Sequence, residues 1–186
     1  MKAILLSLLL LWTASAGAQI TFVTTDGGPV QTRLGMGMKL NKASTLHREW
    51  VILNDEGCPL KLDRGTGLNT EADLLRFVTT GTLNPDKPVA ALEIHFVLYD
   101  MFGTHIRTLS FLDVMDLNGT TSLAGRGIWA ASKVEAEIYF RCVTFVAAVR
   151  TMDGEVWKYT PGEIRTALEA MNIVYDESFL PTDYDE

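Results

Sequence analysis

Three histidines (His47, His95, His105) and two cysteines (Cys58, Cys142) are the side chains best suited to metal, nucleophilic or redox chemistry. Their spacing assigns them none. The cysteines lack C-x-x-C spacing, so they make neither a zinc site nor a thioredoxin-like pair. In an oxidising compartment the expectation is a Cys58–Cys142 disulfide. The alternative is a buried free thiol at Cys142, flanked by Phe140, Val143 and Phe145. His95 and His105 fall on the two arms of one expected hairpin, about 13 Å apart at 3.3 Å per residue. That is too far for one metal, whose imidazole nitrogens lie about 2 Å from it. No G-x-S-x-G elbow, H-E-x-x-H pair or P-loop occurs. Gly35-Met36-Gly37-Met38 lacks the third glycine of a dinucleotide fingerprint. Glu135 and Glu137 share a face of an expected strand and read as solvated surface. Asn118-Gly119-Thr120 reads as a turn. No catalytic, cofactor-binding or metal-binding residue is therefore assigned, and no cofactor is expected.

The elements that would carry these residues begin after an address. Lys2 precedes an apolar stretch at residues 3–12 (AILLSLLLLW), and Ala16-Gly17-Ala18 places small residues at −3 and −1 of a cleavage site. Residues 1–18 are read as a signal peptide. The product is expected to be exported, periplasmic or secreted, with no transmembrane anchor once the signal is removed. Sixteen basic against 23 acidic residues set the net charge at −7, which does not favour nucleic acid. The acids cluster at the end: after Arg165 come Glu169, Asp176, Glu177, Asp183, Asp185 and Glu186 with no Lys or Arg.

Alternating β-branched and aromatic residues predict strands at 20–25, 50–54, 58–62, 74–80, 90–99, 105–114, 128–131, 136–152 and 155–159. Residues 117–124 are ambiguous; 26–29, 54–57 and 84–88 read as turns or loops. The fold class is mainly β: an antiparallel immunoglobulin-like β-sandwich with one C-terminal helix. The division is 1–18 signal peptide, 19–45 N-terminal strand and loop, 46–160 sandwich, 161–173 helix and 174–186 acidic tail. Thr160 as N-cap, Pro161 as N1 and Glu163 as N3 resemble a capping-box start. Ile164, Leu168 and Met171 share one helix face, which is expected to dock on the sandwich. A partner-binding helix is the alternative.

Two hairpins are explicit. In the first, Met101 to Gly103 form the loop, Gly103 takes the left-handed position, and Asp100 accepts from loop amides. Tyr99 then faces His105 and Leu98 faces Ile106, with Phe96, Leu98 and Ile106 on a core face. In the second, Asp153-Gly154 is a two-residue turn pairing Met152 with Glu155 and Arg150 with Trp157. Arg150 is then placed to stack on Trp157; contact of both with a ligand is the alternative. Between 138 and 149 both strand faces are largely apolar, so the outer one must be covered, by the helix from Pro161 or the N-terminal segment, with a partner subunit as the alternative.

Phe96-Val97-Leu98-Tyr99-Asp100 resembles the F-x-L-Y-D signature of the FxLYD family of small prokaryotic extracytoplasmic domains, and Gly103 suits that family's turn. The resemblance reaches at most from Arg48 to Tyr159. It implies an immunoglobulin-like sandwich with no established catalytic activity, and it carries no catalytic residue to transfer. The function expected is an exported noncatalytic binding or accessory module of the cell envelope, with an unidentified protein or envelope partner. Two alternatives stay open. One is a carrier holding a small apolar ligand between sheet and helix. The other is an exported hydrolase with a dispersed site, which needs His95 or His105 beside a nucleophile.

Overall fold

The structure, a computed structural model, describes residues 20–29, 47–71 and 74–174. The expected signal peptide at residues 1–18, the Gly35 to Met38 stretch and the acids from Asp176 onward lie outside these residues. The described chain is mainly β. Its elements are β1 (Ile20–Pro29), β2 (His47–Asp55), β3 (Leu60–Leu62), β4 (Gly67–Glu71), β5 (Arg76–Thr80), β6 (Thr82–Pro85), β7 (Val89–Tyr99), β8 (His105–Leu117), β9 (Thr121–Ser122), β10 (Ile128–Ala130), α1 (Lys133–Ile138), β11 (Arg141–Thr151), β12 (Val156–Lys158) and α2 (Pro161–Ala170).

A six-stranded sheet runs β1-β2-β11-β7-β8, with β12 beside the far half of β11. Two three-stranded sheets, β10-β5-β4 and β3-β6-β9, complete the sandwich. Successive strand residues point to opposite faces. Trp50, Ile52, Ile94, Phe96, Leu98 and Cys142 therefore turn toward Leu60, Leu68, Phe77 and Leu83 of the small sheets. Val51, Leu53, Val97, Tyr99, Val143 and Phe145 turn the other way and meet Ile164 and Leu168 of α2. The helix thus covers the second apolar face of β11, as the two-faced pattern requires. Among the described residues no helix is long and apolar enough to cross a membrane.

The pairing is not wholly antiparallel, because β2 runs parallel to β11. The chain between them passes through both small sheets and the β7–β8 hairpin, a crossover long enough to set either direction. A bulge between Val146 and Ala148 also shifts the alternation. Val149 consequently joins the sandwich core with Val146, instead of the helix-covered face with Phe145.

The long strand expected from residue 136 starts only at Arg141. Ser132 and Glu135 form a reciprocal capping box that starts α1. The Glu135 amide donates to Ser132 Oγ at 3.1 Å, and the Ser132 amide to Glu135 Oε2 at 2.7 Å. That backbone bond holds the Glu135 carboxyl below its ordinary range. Glu135 and Glu137 are therefore helical and share no strand face. The expected turn at 26–29 instead continues β1, whose pairing with β2 breaks between Asp26 and Pro29. Residues Thr82–Pro85, half assigned to a loop, pair with β3, and the polar β4 was not anticipated.

In the first hairpin Gly103 adopts φ +80°, and Asp100 Oδ1 accepts from the Phe102 and Thr104 amides at 2.8 Å each. Tyr99 faces His105 as expected, but a bulge makes Leu98 face Arg107 and leaves Ile106 as the extra residue. Ile106 still packs on the sandwich core. The second hairpin departs further. Thr151 closes on Glu155 at 2.9 Å, and Met152 to Gly154 form a three-residue loop with Gly154 at φ +93°. The Met152 amide is drawn to the Pro88 carbonyl at 2.9 Å, away from Glu155. Arg150 therefore faces Val156, and Trp157 faces Val149.

Thr160 is the N-cap of α2 and Pro161 its first residue, but the Thr160 side chain makes no capping bond. The helix starts through proline and backbone bonds, without the expected box. It ends at Ala170, three residues before the expected boundary.

Candidate ligand-binding site

Each histidine is engaged locally. His47 Nδ1 meets Asp26 Oδ2 at 2.6 Å near the surface, and His105 Nε2 meets Thr108 Oγ1 at 3.0 Å. His95 is buried on the helix-covered face, its Nε2 2.8 Å from Glu93 Oε1. Ser110 Oγ donates to that same oxygen at 2.9 Å. The carboxylate stands between hydroxyl and imidazole, whereas activation of a serine requires the imidazole in the middle. Among the described residues no group of three or more His, Cys, Asp or Glu side chains comes together around a common centre.

Burial pushes the His95 imidazole below its ordinary pKa, and Glu93 only partly opposes this. Its Nδ1 is buried without a partner, while its ring meets Phe145 and Tyr159 edge-on. Folding thus favours the neutral ring. This stability is full above the unfolded value of about 6.5 and falls as acid protonates the unfolded chain first. Urea midpoints measured from about pH 7 to about pH 5 should decline in the native protein. The decline should flatten in His95→Phe; equal slopes in both would remove His95 as the cause.

The two cysteines are free and buried, which corrects the expected disulfide. Cys142 pairs with Trp50 of β2, whereas the Cys58 amide bonds to the Asp55 carbonyl beyond that strand's other end. The five-residue step from Trp50 to Asp55 spans about 16 Å, against the roughly 4–7 Å between α-carbons that a disulfide needs. Burial lifts each thiol to about 12, so neither is a ready nucleophile.

A buried polar cluster lies near Cys142. Trp50 Nε1 donates to Tyr139 Oη at 3.0 Å, and that hydroxyl donates to the Leu68 carbonyl at 3.0 Å. Arg48 lies over the Tyr139 ring at 4.8 Å and donates to the carbonyls of Tyr139 (3.1 Å) and Ala136 (3.4 Å). Its cation therefore sits at the negative C-terminal end of α1. Burial lowers the Arg48 pKa and raises that of Tyr139. This cluster ties β2, β4 and α1 together. Its one local signal is the S-x-x-E pattern of Ser132 to Glu135.

The F-x-L-Y-D residues are likewise structural. Phe96 and Leu98 fill the sandwich, and Tyr99 crosses to the helix side, where its hydroxyl donates to the Val174 carbonyl at 3.1 Å. Among the described residues, one void at the end of the sheet–helix interface, lined by Leu53, Phe145, Tyr159 and Ile164, measures about 10 Å3.

An open concavity lies at the hairpin end of β12. The β2–β3 turn (Glu56 to Pro59), Asp86 and Lys87, and the β11–β12 hairpin (Thr151, Glu155, Trp157) enclose about 570 Å3. Lys61 holds the β2–β3 turn, donating to the carbonyls of Asp55 (2.7 Å), Glu56 (3.0 Å) and Cys58 (2.6 Å). The Asp86 amide donates to the Pro59 carbonyl at 2.8 Å, and Lys87 bonds Glu155 at 2.7 Å. No protein-family model, curated protein or solved structure matches the chain. The chemistry on offer is that of recognition: an indole wall for stacking, with carboxylates and an ammonium around it. Sequence reasoning singled out Trp157 as a partner of Arg150. It missed Glu56, Asp86, Lys87 and Glu155, which lie on three separate turns and share no motif.

Proposed function

We propose that this protein is an exported, noncatalytic β-sandwich module of the FxLYD type that binds a partner or ligand in the cell envelope. The depression walled by Trp157 carries this reading. Its 570 Å3 falls within the roughly 300–1,000 Å3 of small-molecule sites, and it is built on paired strands and braced turns. The signal-like residues 1–18 and the Phe96 to Asp100 motif supply the exported setting. A carrier of apolar ligands is less well supported, because the void described between Ile164 and the sheet is about 10 Å3, roughly the least that holds one water.

Binding of envelope fractions to the immobilised protein tests the reading. Trp157→Ala should bind at least about tenfold more weakly, equivalent to about 1.4 kcal/mol. A Met101→Ala change at the opposite hairpin tip should leave binding unchanged. Full retention by Trp157→Ala would show that the depression is not the site.

A further inference from the structure

β8 is the last strand of the six-stranded sheet. β7 pairs with it on one side over its length. Among the described residues, no backbone group from Ile106 to Leu117 bonds to anything on the other side. Such an edge is a template for another strand. Two features mark this one. Leu112 and Val114 are 61% and 82% exposed on the face that α2 leaves bare. Leu112 also lines a groove of about 210 Å3 with Ala91, Ala148 and Val156.

The edge is also self-complementary in charge. Arg107 and Asp113 stand three residues either side of Ser110. When two copies of β8 run antiparallel about Ser110, Arg107 of each copy faces Asp113 of the other. Opposed charges of this kind stabilise a strand pair, where like charges would oppose it. This register keeps both sandwiches on one side of the joined sheet and brings the apolar Leu112 of both copies onto its other side. In one chain Arg107 lies 3.9 Å from Glu135 and donates to the Ala130 carbonyl at 3.1 Å, and Asp113 lies 3.8 Å from Arg126, so Arg107 must leave one exposed hydrogen bond and both side chains a part-exposed ion pair to meet across the dimer. Surface pairs of this type hold their partners weakly.

We propose that β8 is the surface through which two copies of this chain associate, antiparallel about Ser110, so that two six-stranded sheets become one. The proposal does not depend on Trp157. Sedimentation velocity of the mature chain, residues 19–186, across micromolar to millimolar concentration tests it. A monomer–dimer equilibrium is expected. Arg107→Asp and Asp113→Arg should each weaken the dimer at least tenfold, and the double exchange should restore it. Circular dichroism of each variant checks that the fold is kept, and Leu112→Arg gives a second disruption independent of the charge pair. A monomer throughout the range would overturn the proposal, as would a dimer indifferent to both the charge reversals and Leu112→Arg. Failure of the double exchange to restore association would overturn the Ser110 register.

Discussion

Replacing Trp50 with alanine should remove about 3–5 kcal/mol of stability, the range for deleting a large buried aromatic. The ring is 7% exposed and lies between two glycines. A β-carbon on Gly27 would come within 2.5 Å of it, and one on Gly67 within 2.6 Å. Only bare backbone allows β1 and β4 to close on the indole so tightly. Alanine would open a cavity between those strands and remove the N–H that the Tyr139 hydroxyl accepts, leaving it its bond to the Leu68 carbonyl. Tyr139→Phe separates the polar from the packing contribution. It leaves the Trp50 N–H and the Leu68 carbonyl unpaired, at about 1–3 kcal/mol for each buried group. Urea unfolding with an unchanged m-value measures both. A loss under about 1 kcal/mol for Trp50→Ala would show that the strands repack around the gap.

Leu168→Ala should lower stability by about 2–5 kcal/mol and expose a surface that is now covered. Leu168 is fully buried, and with Ile164 it closes the second face of the sheet over Val51, Leu53, Val143 and Phe145. The stronger change, Leu168→Asp, places an unpaired charge there and should undock α2. The central strands would still pack on the small sheets through the opposite face, so the far-ultraviolet β signal should persist while a hydrophobic dye binds. Met171→Ala, at the partly buried edge of the same contact, should have a much smaller effect. Dye binding by neither Leu168 variant would mean that the sheet does not need the helix as a cover.

The need for that cover was legible in the chain. From Val143 to Val149 apolar side chains occupy both faces, and water cannot solvate either at low cost. The helix that meets the need was legible too, from Pro161 and the Ile164–Leu168 spacing. The Asp100 to Gly103 loop was equally clear, because its carboxylate, its amides and its glycine lie within four residues. The hairpin at Asp153 misled for the converse reason. Asp-Gly favours a two-residue turn, but the distant Pro88 carbonyl takes the Met152 amide, and the loop grows by one residue.

Most of the long strands, the two apolar faces of β11, the start of α2 and the turn of the first hairpin can be read directly from the order of the residues. Each depends on contacts within a few residues, so the local order of side chains is sufficient. Long-range packing alone sets β2 parallel to β11, keeps the two thiols apart, brings Arg48 to the end of α1 and gathers three turns around Trp157. Alternation states which way a side chain points but not which strand lies beside it. Neighbours are chosen by competition among long-range pairings, and the open depression and the bare edge of β8 are what that competition left at the surface.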